Sequence, residues 1–189
     1  MVKIGILGDI GSGKSFVAKC FGYPVFNADQ EVSKLYKTNR DIFKKLKKKI
    51  PKHISTFPID KKQISIAILS NNSNLKKIVK IIHKEVRQKM KLFLKKNKNK
   101  KIVILDIPLL LENKINNKKD ILIFVQAKKI DIIKRLKNRN NYNRNLINKF
   151  KKIQLSLEYK KKKSQFVIIN NFRKKSVKLG VKKILKKIL

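Results

Sequence analysis

Residues 8–15 constrain what this chain can fold into more than any other stretch. They read G-D-I-G-S-G-K-S and match the pattern G-x-x-x-x-G-K-S, which forms a phosphate-binding loop between a strand and a helix. The apolar residues 2–7 precede this loop, and the helix-compatible residues 16–21 follow it. A glycine-rich backbone turns its N–H groups toward a phosphate at the positive end of the following helix. The sequence therefore predicts a nucleoside triphosphate site after the first strand.

Two side chains of this loop have assigned chemistry. In the motif, Lys14 reaches the β- and γ-phosphates, and the hydroxyl of Ser15 ligates magnesium. Asp106 ends the clearest internal strand, residues 101–106, where proteins with such loops hold the water shell of magnesium; a strand-end acid in an ordinary turn is the alternative. The residues expected to contact the triphosphate are Gly8, Asp9, Ile10, Gly11, Ser12, Gly13, Lys14, Ser15 and Phe16.

Apolar patterns alternate between short strands and amphipathic helices along the chain. Strands are predicted at residues 2–7, 25–26, 101–106, 121–125 and 166–169. Helices are predicted at residues 30–50, 60–69, 72–96, 128–138 and 145–163 and at the C-terminus. Asp60 is expected to cap the second of these helices and Asn72 or Ser73 the third, while Ile130, Ile133 and Leu136 face inward. This alternation predicts one α/β domain with a parallel, doubly wound sheet.

The second predicted strand ends at residues 27–29, which places Asp29 at its carboxyl end. The chain holds only 11 Asp and Glu residues, so an acid at the ligand-binding edge of a parallel sheet is a candidate site residue. His83 and Arg87 are four residues apart and share one helix face, with a structural role as the alternative. The apolar residues 108–112 form either a pocket wall or a packing contact with a neighbouring helix.

Arginines are concentrated in one segment of a chain whose other cations are mostly lysine. Arg135, Arg139 and Arg144 surround the polar residues 138–144, between two helices. A planar guanidinium group can bind two phosphate oxygens at once through parallel hydrogen bonds, and the lysine ammonium does this poorly. The pattern indicates a lid over the triphosphate at about residues 138–160; ordinary surface arginines are the alternative.

The charge balance raises nucleic acid as a partner. The chain has 51 Lys and Arg residues and a formal net charge of +40. The lysines are spread through every segment, however, which favours compositional drift or simple solvation, with nucleic-acid binding at most weak and salt-sensitive. N-K-x-D at residues 117–120 resembles a guanine-binding motif, but it precedes a strand instead of following one, so the match is rejected.

Three observations predict a cytoplasmic protein that does not enter a membrane. There is no charged and then apolar leader, and no apolar run approaches twenty residues. The single cysteine, Cys20, excludes an internal disulfide framework.

Taken together, these motifs resemble the dephospho-CoA kinase family over essentially the full length. The resemblance rests on the phosphate-binding loop, A-D at residues 28–29, H-x-x-V-R at 83–87, P-L-L-x-E at 108–112, the lid arginines with Gln154, and V-I-x-N at 167–170. The chain differs from the family pattern at Asp9, Lys84, residues 164–165 and Phe172.

The resemblance implies transfer of the γ-phosphate of ATP to the ribose 3′-hydroxyl of dephospho-CoA, the last step of coenzyme A synthesis, with Mg²⁺. It implies that Asp29 is the general base, with Lys14 and Arg139 also in catalytic roles. Arg139, Arg144 and Asn170 would contact ATP, and residues of about 30–98 would bind the acceptor. Further acceptor contacts would come from His83, Arg87, Leu109, Leu110 and Glu112. Another P-loop kinase activity and a basic nucleic-acid-binding protein are the competing hypotheses.

Overall fold

The computed structural model describes residues 1–140 and 142–189, and it divides into two compact units. Met1–Asn27 and Asn97–Leu189 form the first unit, and Ala28–Lys96 the second. Asn141, part of the predicted lid, lies outside the described residues. The elements in chain order are β1 (Val2–Gly8), α1 (Lys14–Cys20), β2 (Val25–Asn27), α2 (Ala28–Thr38), α3 (Arg40–Lys49), α4 (Lys61–Ser70), α5 (Asn72–Lys96), β3 (Ile102–Asp106), β4 (Ile121–Gln126), α6 (Lys129–Lys137), α7 (Arg144–Lys152), α8 (Leu157–Lys162), β5 (Phe166–Ile169) and α9 (Lys174–Ile188).

The first unit is built on a five-stranded sheet with the strand order β2-β3-β1-β4-β5. Every neighbouring pair is parallel, and Asn27 lies in register with Asp106 at the carboxyl ends of β2 and β3. The predicted parallel α/β fold is therefore confirmed. β1 is central, so the phosphate-binding loop emerges from the middle of the sheet, where ligands bind in open α/β folds.

The two faces of β1 bury different partners because successive strand residues point to opposite sides. Ile4 and Ile6 join a core with residues of α1 and α9, including Val17 and Val181. Gly5 lies on the other face, where a Cβ atom would meet Leu110 and Leu122 side chains. The absence of a side chain at Gly5 thus lets the loop after β3 pack directly on the sheet.

The second unit consists of α2 to α5, and α5 packs against each of the other three helices. The buried apolar residues of α5 are Leu75, Ile78, Ile82 and Val86, which recur at helical spacing along one face. Asp60 caps α4 by accepting a hydrogen bond from Lys62 N at 2.9 Å, as predicted. The cap predicted for α5 is wrong, because Asn71 instead accepts from Ser73 N at 2.8 Å.

Two predicted long helices are each divided in two. The helix predicted at 30–50 is interrupted at Asn39, whose side chain accepts from Ile42 N at 3.0 Å and starts α3. The helix predicted to extend to residue 163 is interrupted before Ser156, which caps α8 in the same way. Polar side chains that satisfy the first free N–H groups favour a new helix start over continuation.

The inward face predicted for α6 is also wrong in part. Ile130 and Ile133 are 73% and 43% exposed, whereas Ile132 and Leu136 are buried. Ile132 and Leu136 lie four residues apart and pack beside Gly11 of the phosphate-binding loop, which determines which face of α6 is buried.

None of the helices in the described ranges is long and apolar enough to cross a membrane.

Candidate active site

The phosphate-binding loop joins β1 to α1 through a glycine that no other residue replaces easily. Gly13 precedes α1 with φ of 87°, a left-handed conformation that favours glycine. A Cβ atom there would also collide with the Asn170 side chain and approach the Phe172 ring to 3.1 Å. Both the backbone angle and the close neighbours therefore require glycine at this point.

Lys14 folds back over the loop that precedes it. Its ammonium donates to Asp9 O at 2.7 Å and to Gly8 O at 3.2 Å, while Ser12 N donates to Asp9 O at 3.2 Å. The loop thus holds a cation against its own carbonyl groups. A phosphate that entered the loop would offer this ammonium stronger, charged acceptors.

Asp9, where the chain departs from the family pattern, is engaged locally. Its Oδ1 accepts from Ile10 N at 2.7 Å, and its Oδ2 lies 3.9 Å from the ammonium of Lys151 in α7. Because Lys151 is about half exposed, this pair contributes little to stability. It nevertheless places a residue of the arginine-bearing segment next to the loop.

A polar cluster connects the ends of three elements at the carboxyl edge of the sheet. The amide of Asn27 donates to Asp106 Oδ2 and to Ser15 Oγ, the latter at 3.3 Å. Burial raises the pKa of the Asp106 carboxyl, and hydrogen bonds from Ser15 and Asn27 and the charges of Lys14 and Lys19 oppose this rise. Sequence reasoning missed Asn27, although its position at the end of β2 was a usable signal.

The side chain of Asn170 braces the loop. Its Nδ2 donates to Ser12 O at 2.8 Å, and its Oδ1 accepts from Phe172 N at 2.9 Å. Asn170 itself is only 1% exposed. Both amide atoms therefore bind the chain's own backbone. A contact between Asn170 and ATP stays a prediction, but a support role for the phosphate-binding loop is visible.

The arginines lie on the surface of the first unit. Arg139 and Arg144 are exposed, and Arg144 is the first residue of α7, which is capped by Asn143. The Arg135 guanidinium lies 4.3 Å from the centroid of the Phe172 ring, a stacking contact that orients it. Exposed, long and cationic side chains of this kind suit a role in binding phosphate from solvent.

The loop after β3 is anchored by Leu110 and Glu112. Leu110 is fully buried and packs on the sheet beside Gly5, whereas Leu109 is half-buried. Contacts of these two residues with an acceptor stay a prediction. Glu112 Oε1 accepts from the ammonium of Lys160 at 2.8 Å and from Leu155 N at 3.0 Å. Lys160 belongs to a run of four lysines, so the sequence contained no signal that distinguished it.

Asp29, His83 and Arg87 belong to the second unit. Asp29 is exposed and is the second residue of α2, so the expectation that it ends a strand is wrong; β2 ends at Asn27. His83 and Arg87 lie one turn apart on α5. Burial lowers the pKa of His83, and the charge of Arg87 lowers it further.

Residues 117–120 have a structural explanation that supports rejecting the guanine-binding motif. Asp120 is buried, accepts from Asn117 N at 2.9 Å and pairs with Lys3 at 3.2 Å. The carboxylate therefore closes the turn before β4.

Comparisons with known proteins identify the relatives of this chain. The sequence profile of the dephospho-CoA kinase family matches residues 2–175. A protein of Wolbachia pipientis wMel named dephospho-CoA kinase is 36% identical over 186 residues, which cover 96% of this chain and 95% of the relative.

Solved structures agree on the fold. A Thermus thermophilus protein designated TT1252 superposes with a TM-score of 0.76 at 25% identity, covering 100% of this chain and 98% of the other. The dephospho-CoA kinase of Campylobacter jejuni gives a TM-score of 0.62 at 20% identity, covering 98% and 96%, and so supports the fold alone.

Proposed function

Because this chain belongs to the dephospho-CoA kinase family, we propose that it transfers the γ-phosphate of ATP to the ribose 3′-hydroxyl of dephospho-CoA, giving coenzyme A and ADP. The observation that carries the proposal is the family match over residues 2–175, which includes the phosphate-binding loop and residues 108–112. In the reaction, the 3′-oxygen bonds to the γ-phosphorus, the bond from that phosphorus to the β,γ-bridging oxygen breaks, and ADP leaves with the electron pair.

The loop supplies the ATP side of this proposal. Its backbone N–H groups bind phosphate oxygens, and Lys14 exchanges the carbonyls of Gly8 and Asp9 for charged phosphate oxygens. Arg139 and Arg144 add positive charge as negative charge develops on the transferred group. Asn170 keeps the loop in shape through Ser12.

The residues at the sheet edge fit Mg²⁺. A hydroxyl and a carboxylate, on Ser15 and Asp106, are the hard oxygen donors this ion prefers, and Asn27 already holds both together. The described residues contain no cluster of three or more His, Cys, Asp or Glu side chains that could hold a metal ion, so phosphate and water would have to supply the other ligands of Mg²⁺. When bound, Mg²⁺ neutralises phosphate charge.

The acceptor side depends on Asp29 as the general base that takes the 3′-hydroxyl proton. Asp29 is exposed, and a carboxylate is a suitable general base for a hydroxyl proton. The acceptor is held by His83, Arg87, Leu109 and Glu112. Leu110 is fully buried and acts by fixing the loop that carries Leu109 and Glu112.

An acceptor panel tests the activity. Purified protein is given ATP, Mg²⁺ and in turn dephospho-CoA, nucleoside monophosphates and simple metabolite alcohols, with ADP release as the measurement. Turnover is expected with dephospho-CoA, and the Lys14→Ala control should lack it with every acceptor. No turnover with dephospho-CoA, or faster turnover with another acceptor, would overturn the proposal.

We also propose a cytoplasmic location. The single cysteine suits a reducing compartment, and burial raises the pKa of its thiol, which makes Cys20 a poor nucleophile and poor disulfide former. Cell fractionation with immunodetection of the untagged protein tests this; recovery in an exported fraction would contradict it.

A further inference from the structure

The ion pair between Glu112 and Lys160 is buried, although this chain has an abundance of exposed lysines. Lys160 is 1% exposed, while Lys161, Lys162 and Lys163, which follow it directly, are exposed. The Glu112 side chain is 9% exposed. A buried pair gives up the hydration of two charges and is often no more stabilising than apolar residues of similar size. Stability alone therefore does not account for this pair.

The donors around Glu112 are distributed unevenly. Oε1 accepts from Lys160 Nζ and Leu155 N, and the same ammonium donates to Gln154 Oε1 at 3.2 Å. Oε2 is buried and has no hydrogen-bond partner among the described residues. A buried carboxylate oxygen without a donor is costly, so one further N–H or O–H group is needed to complete this site.

Glu112 is also where two segments of the first unit join. It lies on the loop that Leu110 anchors to the sheet at Gly5. Its partner Leu155 lies between α7 and α8, and its partner Lys160 lies within α8. The position of the carboxylate is thus determined by the buried ammonium on one side and by the sheet on the other.

We propose that Lys160 is a positioning residue for the acceptor: it holds the Glu112 carboxylate in a fixed orientation through Oε1, so that Oε2 accepts a hydrogen bond from an N–H or O–H group of dephospho-CoA. This inference rests on the proposed function. Lys160 acts through Glu112 and does not contact the substrate. An acceptor atom held in place before binding makes a stronger hydrogen bond than one that must first be reoriented.

Steady-state kinetics on matched variants test the proposal. The variants are Lys160→Met, Lys160→Arg, Glu112→Gln and the double variant, with Lys161→Met as the exposed control on the same helix. The measurements are KM for dephospho-CoA, kcat, and the Kd of a non-hydrolysable ATP analogue. Lys160→Met should raise KM about tenfold, the factor for one charge-assisted hydrogen bond, with the analogue Kd unchanged. Lys160→Arg should restore most of the effect, and Lys161→Met should show none.

The double variant separates positioning from general damage. In the Glu112→Gln background, Lys160→Met should have little further effect on KM, because the residue it acts through has been changed. An equal rise in both backgrounds, or a parallel loss of ATP-analogue binding, would overturn the inference. If Lys160→Met does not fold, Lys160→Gln replaces it in the test. The same selective rise in KM for dephospho-CoA is expected, and a wild-type KM in Lys160→Gln would overturn the inference.

Turnover by the wild-type protein distinguishes a failure of the proposed function from a failure of the role proposed for Lys160. Absence of turnover with dephospho-CoA overturns the proposed function and this inference with it. Normal wild-type turnover with unselective Lys160 effects overturns only the role of Lys160.

Discussion

At the scale of single residues, substitution of Asp29 is the most direct test of the proposed phosphate transfer. Changing Asp29 to Asn removes the proposed base while keeping size and polarity. General base catalysis contributes about 10²- to 10⁴-fold, so turnover should fall by about that factor. ATP binding should not change, because a general base acts on the hydroxyl of the acceptor and not on the phosphates.

The matched control for Asp29 is Glu31→Gln on the same helix. Glu31 pairs with Lys34 at 2.8 Å, and an exposed pair of this spacing contributes little, so turnover should stay near wild type. Stopped-flow or steady-state ADP release measures both variants. Wild-type turnover in Asp29→Asn would rule out the base assignment.

Gly5 is a second single residue whose replacement has a defined cost. A Cβ atom at Gly5 would lie 2.5 Å from Leu110 Cδ2 and 2.9 Å from Leu122 Cδ2, so Gly5→Ala should destabilise by about 1–3 kcal/mol through overpacking. Urea denaturation measures the change in the free energy of unfolding. Because Leu110 anchors the loop that carries Glu112, KM for the acceptor should rise as well.

Gly180 in α9 is the control for this substitution. A Cβ atom there meets its nearest neighbour, Ile168 Cγ2, at an ordinary 3.8 Å. Gly180→Ala should therefore be neutral or stabilise by up to about 1 kcal/mol, the usual gain in a helix. Equal effects of the two substitutions would show that the sheet accommodates a side chain at Gly5.

At the scale of elements, helix ends are where this lysine-rich chain organises its charge. Lysines occupy the last turns of α3, α7, α8 and α9, and acids occupy the first turns of α2, α3, α6 and α8. Both arrangements are favourable with the helix dipole. The lysines in these last turns therefore have a local structural role besides solvation.

The pair of His83 and Arg87 on α5 predicts a pH dependence of stability. Burial lowers the pKa of His83 in the folded chain below its ordinary 6.5, so the unfolded chain binds a proton first as pH falls. The free energy of unfolding should therefore decrease as pH falls through 6.5 and level off below the folded pKa. His83→Gln should remove this part of the pH dependence.

Arg87→Met tests the smaller cause of the shift. Removing its charge should raise the His83 pKa toward, but not to, the ordinary value, because burial remains. Imidazole NMR titration measures this, and His53→Gln assigns the signals because the chain has only two histidines. A His83 pKa at or above 6.5 in the wild-type protein would contradict the prediction.

At the scale of the whole molecule, the net charge of +40 raises the question of nucleic acid. Binding to duplex and single-stranded DNA should weaken linearly on a double-logarithmic plot against salt, because each neutralised phosphate releases counterions. We expect weak binding at physiological salt that ATP does not affect. A salt titration with and without ATP measures it.

Lys14→Ala is the control for this titration. If the charge acts without the phosphate-binding loop, the variant should bind DNA as the wild-type protein does. Tight binding that survives physiological salt and requires both ATP and Lys14 would instead support a basic P-loop protein that acts on nucleic acid.

Local patterns were sufficient to predict the fold class and the family. The order of apolar runs predicted the parallel sheet, and the glycine spacing of residues 8–15 predicted the loop between β1 and α1, because both depend on neighbours in sequence. Prediction failed where a single polar side chain competed with a helix pattern, as at Asn39 and Ser156. It also failed on α6, since the phosphate-binding loop at Gly11 selects the buried face.

The sequence by itself determined that this chain forms a parallel α/β sheet with a phosphate-binding loop and belongs to the dephospho-CoA kinase family. The tertiary structure alone decided which polar groups meet. Asn27 and Asp106 are 79 residues apart, and Asn170 and Ser12 are 158 apart, yet each pair is hydrogen-bonded. Such partners carry no local signal, and among so many lysines only packing could select Lys160 as the one that holds Glu112.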